Sequence, residues 1–292
     1  MLEGVKPLLR LVRSGSRRAV ALLLGEWRTW GLYYRARAML RGPNRRYSIG
    51  VVTYVARFQS HFRPFIEQLV SLFGDTPILV AINGHYDADR QTRYLGDIGL
   101  LLRRYRNVTA LPHVQPQSLS KLWNQLALRA PTSKLLIFND DLSLAPYFRR
   151  ELELSPLLEQ EVALINASWS HFLVSRCVIQ AAGWFDERFP GIGNEDEDYE
   201  ARVAVLGISV PSIRLYGIQN LMDHPRDFSY GRNMDVVNEK YSAVNRDFFH
   251  RKWRVSREPR EGYTWVRILR AYVQLREGME TPDFYPGFRW EP

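Results

Sequence analysis

KLLIFNDDLSLAP, residues 134–146, decides how this chain is read: an apolar run from Leu135 to Phe138 passes directly into Asn139, Asp140 and Asp141. A short apolar run that ends in turn-forming residues is the pattern of a buried strand. Working outward, similar runs stand at 48–53 (SIGVVT), 77–82 (PILVAI) and 108–112 (VTALP), with helical patterns between them at about 60–73, 91–105 and 117–129. Such alternation predicts an α/β fold with a mostly parallel central sheet flanked by helices. Sheets of this kind bind ligands at the carboxyl ends of their strands, which is where Asp140 and Asp141 fall. Further on, an apolar run at 162–167 (VALINA) and a helix near 172–182 lead to a glycine- and acid-rich loop. A helix from Asn194 to Gly207 and a short strand at 208–213 (ISVPSI) follow.

The 292 residues are 46% hydrophobic and 24% charged, the composition of a folded chain with a substantial core. The longest apolar run near the N-terminus, Ala19 to Leu24, is far short of the ~20 residues of a spanning helix. A single cysteine, Cys177, excludes an intrachain disulfide and a cysteine-rich metal site, and favours a reducing, cytoplasmic setting.

The formal charge of +9 is unevenly distributed. Residues 1–46 hold 11 basic groups against 2 acidic ones, and the remainder of the chain is balanced. The balanced part has no global field of the kind that grips a phosphate backbone, so nucleic acid is not an expected partner. In the basic arm, Val20, Leu23, Leu24 and Trp27 recur at helical spacing, with Trp30, Tyr33, Tyr34 and arginines interleaved. A helix lying on an anionic membrane surface has this pattern. A helix packed on its own domain with a solvated basic face has it too, and an Arg-rich, acid-poor start also suits a transit peptide. The organisation expected is an amphipathic basic arm at 1–46, one α/β domain at 47–255, and a C-terminal helix at 264–276 within an aromatic, proline-rich tail at 256–292.

Adjacent carboxylates beside an apolar strand repel unless a cation or hydrogen-bond donors compensate. Mg²⁺ or Mn²⁺ would do so, completing its shell with phosphate oxygens and water, and a simple Asx turn is the alternative. A second acidic cluster lies in GWFDERFPGIGNEDEDYEARVAVLG, residues 183–207. There Asn194 stands as an N-cap, and Glu195, Asp196 and Glu197 occupy a first helical turn whose dipole favours anions.

The opening strand SIGVVTYVARF, the acidic NDD at a strand end, GWFDERF and the Glu195-Asp196 pair opening a helix together resemble the family 2 glycosyltransferases, over residues 48–253. NRDFFHRKW at 245–253 is similar to the Phe/Tyr-x-x-Lys-Trp ending of some members. The resemblance implies a GT-A nucleotide-sugar-binding fold. It also implies a metal-dependent, inverting transfer of a sugar from a UDP-, GDP- or dTDP-sugar to a hydroxyl of a glycan or lipid-linked acceptor in surface-polysaccharide assembly. Residue by residue, it makes Asp141 the metal ligand at the donor diphosphate and gives Asp140 to the ribose or the same metal. Thr53 and Tyr54 would meet the nucleotide, and Arg57 would contact the diphosphate. Asn83 stands where the family usually has a base-reading Asp. Asp196 would be the catalytic base and Glu195 a group holding an acceptor hydroxyl or a structural hydrogen bond. His224 either returns to the metal or caps a loop, and Trp169 and Trp184 either stack on a sugar or pack beside the core.

The chemistry needs this equipment. A leaving nucleoside diphosphate gains charge that a cation stabilises, and the attacking hydroxyl loses a proton to a carboxylate across the anomeric carbon. The helix N-terminus is expected to keep Asp196 ionised.

GIGNED at 191–196 lacks the third glycine and the preceding strand of a dinucleotide site, and no P-loop or nucleophile elbow occurs. Two other readings stay open. A nucleotidyltransferase could use the same fold and metal, though VARFQSHFRP lacks the glycine and lysine of a phosphate-gripping loop. A non-catalytic protein could bind membrane or nucleic acid through the basic arm.

Overall fold

A computed structural model describes residues 47–221 and 239–253. Alternation within the strands assigns the two faces of the sheet. In β1 (Ser48–Thr53), β2 (Ile78–Ile82) and β4 (Lys134–Asn139), one set of side chains (Ile49, Val51, Ile78, Val80, Ile82, Leu136, Phe138) joins one buried cluster. Leu79, Ala81, Leu135 and Ile137 join another on the opposite face. Successive side chains of a strand point to opposite faces, so runs apolar at every position are those covered on both sides.

Helices supply the cover. Phe65, Ile66 and Leu69 of α1 (Arg63–Leu72) and Tyr94, Ile98 and Leu101 of α2 (Ala88–Leu102) fill the first cluster. Leu122, Trp123 and Leu126 of α3 (Leu119–Arg129) fill the second. Full burial of one such side chain stabilises the fold by roughly 1.5–3 kcal/mol, so the faces are fixed many times over.

The sheet has seven strands in the order β3 (Val108–Pro112), β2, β1, β4, β7 (Ser168–Ser175), β6 (Val162–Ile165), β8 (Ser212–Ile213). β3, β2, β1 and β4 are parallel neighbours, so Thr53, Ile82, Pro112 and Asn139 end at one edge of the sheet. The chain adds β2 and β3 on one side of β1 and then crosses to place β4 on the other. The crevice where strand order reverses therefore opens between β1 and β4. This mostly parallel sheet covered by helices on both faces is the architecture expected for a GT-A fold.

The rest of the sheet corrects the sequence-based expectation. The helix foreseen at 172–182 begins only at Arg176, as α5 (Arg176–Ala182), because β7 (Ser168–Ser175) runs through its first half. β6 (Val162–Ile165) and β7 are antiparallel and joined by Asn166-Ala167, both with positive φ (52° and 59°). A two-residue hairpin turn with both centres left-handed is usually marked by glycine, and here no glycine marks it. The Asn166 side chain holds the turn by donating to the Leu215 carbonyl and accepting from the Leu215 N–H, both at 2.9 Å. The strand foreseen at 208–213 shrinks to β8 (Ser212–Ile213).

After β4 the chain forms β5 (Leu142–Leu144) and α4 (Phe148–Leu154), whose buried Phe148 and Leu152 join the first cluster. β5 pairs with β9 (Ile218–Asn220), and the Leu221 N–H donates to the Asp141 carbonyl at 2.8 Å. The acidic segment opens α6 (Glu195–Val205), and α7 (Glu239–Trp253) follows it in the described residues. The expected arm at 1–46, His224 and the expected helix and tail beyond 256 lie outside the described residues.

Candidate active site

Thr53 is fully buried at the end of β1, and register pairs Val52 with Asn139, so Thr53 stands beside the start of the acidic pair. Beyond Tyr54 the backbone tightens into a turn at Val55–Arg57, closed by the Arg57 N–H to the Tyr54 carbonyl at 3.1 Å. The turn carries the Arg57 guanidinium back over the Tyr54 ring and into the crevice. There Nη1 donates to Asp140 Oδ1 at 2.7 Å, and Nη2 lies 3.3 Å from Asp141 Oδ2. Both aspartates are almost completely buried. Burial pushes the Asp140 carboxyl above its ordinary range; Arg57 and the neighbouring Thr53 hydroxyl oppose the rise, and the charge of Asp141 adds to it.

Two carboxylates facing one guanidinium leave a net negative charge in a dry crevice. The remaining oxygens, Asp140 Oδ2 and Asp141 Oδ1, are buried without hydrogen-bond donors. Bare, buried carboxylate oxygens fit a hard divalent cation. Among the described residues no group of three His, Cys, Asp or Glu side chains gathers as a metal cage. The described residues that suit such a shell are the aspartate pair, with phosphate oxygens and water suited to other positions.

Asn83 follows β2, and its side chain is a clip. Its Oδ1 accepts from the N–H groups of Gly84 and Gln117, each at 2.8 Å, and its Nδ2 donates to the Gln117 carbonyl at 3.2 Å. The two loops meet so closely that a Cβ on Gly84 would sit 2.1 Å from the Gln115 carbonyl carbon. The β2 and β3 ends are thereby locked together, and the Asn83 amide already serves the neighbouring backbone.

The second acidic cluster is joined to this edge by two routes. The Leu119 N–H donates to the Gly191 carbonyl at 2.8 Å, so the loop before α6 sits on the start of α3 just beyond Gln117. On the other side, Trp169 at the start of β7 donates Nε1 to Glu200 Oε2 of α6 at 2.9 Å. β7 pairs antiparallel with β4, Phe138 opposite His171, so its start lies at the carboxyl end of β4. Trp169 also packs against Phe172 and Tyr199, which ties it to the core. The two acidic clusters thus occupy the same edge of the sheet.

The electrostatics of the helix start differ from expectation. Asn194 sits at the N-cap position in a left-handed conformation (φ 64°) and makes no side-chain cap bond; its Nδ2 donates to Glu197 Oε2 at 2.6 Å. The Gly193 N–H donates to Glu195 Oε2, and the Glu197 N–H to Asp196 Oδ1 at 2.9 Å. These bonds and the dipole favour ionised carboxylates, yet burial prevails. It raises Asp196 above its ordinary range. Glu195 rises to about 8, through burial first and then the charge of Asp196, and Glu197 rises to about 7 for the same reasons. Desolvation thus outweighs a dipole effect of under ~2 kcal/mol and moves the Asp196 carboxyl upward, where the helix N-terminus by itself would lower it.

One supporting group escaped sequence reasoning. Lys252 Nζ lies 2.8 Å from Asp186 Oδ2 and 2.6 Å from Asp198 Oδ1, both on fully buried side chains. Trp253 Nε1 donates to Asp198 Oδ1 at 2.8 Å, and Arg202 Nε to Asp198 Oδ2 at 3.0 Å. Burial alone would raise Asp186, but Arg188 and Lys252 hold it down at about 2. Asn245 donates Nδ2 to the Pro190 carbonyl at 2.8 Å. The Lys-Trp ending, the FDERF segment and the acidic helix are therefore one buried unit that backs Glu195 and Asp196. The similar ending in NRDFFHRKW was the available signal, and it pointed to a family without naming this job.

No family model matches the chain, and comparison with curated protein sequences found no match. Among solved structures, the chain is similar to S. aureus TarS 1-349 in complex with UDP-GlcNAc, at 12% identity over 70% of each chain with a TM-score of 0.44. Against TarS 1-349 alone it covers 57% of this chain and 58% of that one, at 13% identity and a TM-score of 0.44. It is also similar to glucosyl-3-phosphoglycerate synthase from Mycobacterium tuberculosis in complex with Mn²⁺, uridine-diphosphate and phosphoglyceric acid, at 14% identity, covering 64% of this chain and 73% of that one with a TM-score of 0.39. At these identities and scores no residue role passes from them to this chain. The roles below rest on its own geometry.

Proposed function

We propose that this protein is an inverting glycosyltransferase, moving a sugar from a nucleotide-sugar donor to a hydroxyl of a glycan or lipid-linked acceptor. One observation carries the reading: a buried aspartate pair with bare oxygens at the β1/β4 crevice and a carboxylate-rich helix start stand on one edge of the sheet. The first suits a diphosphate held through a cation, and the second suits an incoming hydroxyl.

Asp140 and Asp141 would hold Mn²⁺ or Mg²⁺, with His224, three residues beyond Leu221, as a further ligand. Such an ion neutralises charge growing on a departing diphosphate. Thr53 and Tyr54 line the nucleotide side of the crevice, and Arg57 supplies a guanidinium suited to two phosphate oxygens. Asp196 takes the proton of the acceptor hydroxyl. Its raised pKa makes it a stronger base than an exposed aspartate, which suits proton abstraction near neutral pH. Glu195, pushed up to about 8, holds its own proton at neutral pH and serves as a hydrogen-bond donor towards the acceptor. Residues 1–46 would hold the enzyme at the anionic cytoplasmic face of a membrane, where lipid-linked acceptors are built.

The test is turnover of UDP-, GDP- and dTDP-sugars with Mn²⁺, wild type against Asp141→Asn and Asp196→Asn. Each variant is expected to lose at least ~10²-fold in kcat while melting as a folded protein. Retained turnover in both would remove the assignment.

A further inference from the structure

Arg57 occupies the place where a cation is needed. Its two terminal nitrogens reach one oxygen on each aspartate, at 2.7 Å and 3.3 Å, and its side chain is 9% exposed. A divalent ion added beside it would set three positive charges against two negative ones among almost fully buried side chains. Like charges held this close in a low-dielectric site repel strongly, so the guanidinium and the ion cannot share the pair without further anions. A diphosphate brings those anions, and its paired oxygens match the fork of a guanidinium.

We propose that Arg57 is a resident counter-ion that competes with the divalent cation for Asp140 and Asp141 and yields the pair when a diphosphate arrives to receive its guanidinium. This inference rests on the glycosyltransferase reading for the identity of the diphosphate. The competition itself rests on the two ion pairs alone. The turn at Val55–Arg57 is short and Tyr54 lies under the guanidinium at 5.4 Å. A modest swing of one side chain about that turn exchanges carboxylate for phosphate without moving the sheet. Cation and nucleotide binding become coupled: each is weak alone and strong in the presence of the other.

The measurement is Mn²⁺ binding to the full chain without nucleotide, by electron paramagnetic resonance titration, for wild type, Arg57→Gln and Arg57→Lys. Arg57→Gln is expected to bind Mn²⁺ at least tenfold more tightly than wild type, and to gain more in melting temperature on Mn²⁺ addition. Arg57→Lys keeps one charge without the two-pronged reach and should fall between them. Equal Mn²⁺ affinity in wild type and Arg57→Gln would overturn the proposal. Should Arg57→Gln fail to fold in chelator, recovery on adding Mn²⁺ supports the exchange and failure to recover overturns it. The two readings separate cleanly. Tighter Mn²⁺ binding in Arg57→Gln without turnover of any nucleotide-sugar by wild type leaves the exchange standing and removes the transferase. Turnover with unchanged Mn²⁺ affinity does the reverse.

Discussion

Glu195 shows how one buried carboxyl makes stability depend on pH. Its pKa moves from 4.5 to about 8, so between those values the folded chain holds a proton that the unfolded chain has released. A group raised in this way stabilises the fold fully below pH 4.5 and loses that contribution as pH climbs towards 8. Glu197, raised to about 7, slopes in the same direction. Asp186, held at about 2, contributes in the opposite sense, but its stabilisation is complete above pH 3.8 and is lost only as pH falls below that. Between pH 5 and 8 the slope therefore carries the cluster at the start of α6, with the raised Asp140 adding in the same sense and His113, lowered by burial, opposing it. Urea unfolding in chelator should show stability falling by about 2–4 kcal/mol over that range, a span set by the size of the raised pKa values. Glu195→Gln, which has no proton to lose, should flatten most of the slope. Parallel pH profiles for the two proteins would mean that the carboxyl is solvated after all.

At the scale of elements, α7 braces the acidic helix α6. Lys252 is 10% exposed and touches two carboxylates that have no exposure at all, and Phe249 and Trp253 pack with Phe189 and Ala201 behind α6. Lys252→Met strips a cation from Asp186 and Asp198 together. Breaking a buried pair from one side costs about 3–5 kcal/mol, since the other charge stays buried. Trp253→Phe removes one buried hydrogen bond and trims the indole to a smaller phenyl ring, at a cost of about 1–3 kcal/mol. Chemical denaturation of the two variants should show that order, and a larger loss in Trp253→Phe would place the weight on packing. This brace marks where the sequence stopped being legible. β1, β3 and the Asp140-Asp141 pair were readable because a strand and the polar residues at its end are one continuous pattern. Lys252 lies 66 residues from Asp186, and only the folded topology brings them together. β7 was misread for a related reason: its hairpin turn is built on Asn166-Ala167, where the left-handed backbone is held by a bond to Leu215 rather than by a local glycine signal. Asn83 was legible by position alone, since its tie to Gln117 spans 34 residues.

Across the whole molecule the charge is segregated. Residues 48–253 contain the sheet and both acidic clusters, while the net charge of +9 equals that of residues 1–46 alone. No helix among the described residues is long and apolar enough to cross a membrane. The proposed attachment to a bilayer would rest on surface electrostatics and on Trp27, Trp30, Tyr33 and Tyr34 of the basic arm, residue types that suit the headgroup region. Near an anionic surface each basic residue contributes about 1 kcal/mol, an attraction that fades within a Debye length and weakens as salt rises. The full chain should therefore float with phosphatidylglycerol-containing vesicles at low ionic strength. Binding should drop at least tenfold with neutral phosphatidylcholine vesicles, or when salt is raised to 0.5 M, where screening shortens the Debye length to about 4 Å. A chain starting at Tyr47 should lose flotation while keeping turnover of a soluble acceptor, because Asp140, Asp141 and Asp196 all lie within the part that remains. Equal flotation of the two chains would assign membrane contact to residues 47–292 and leave the basic arm to another role.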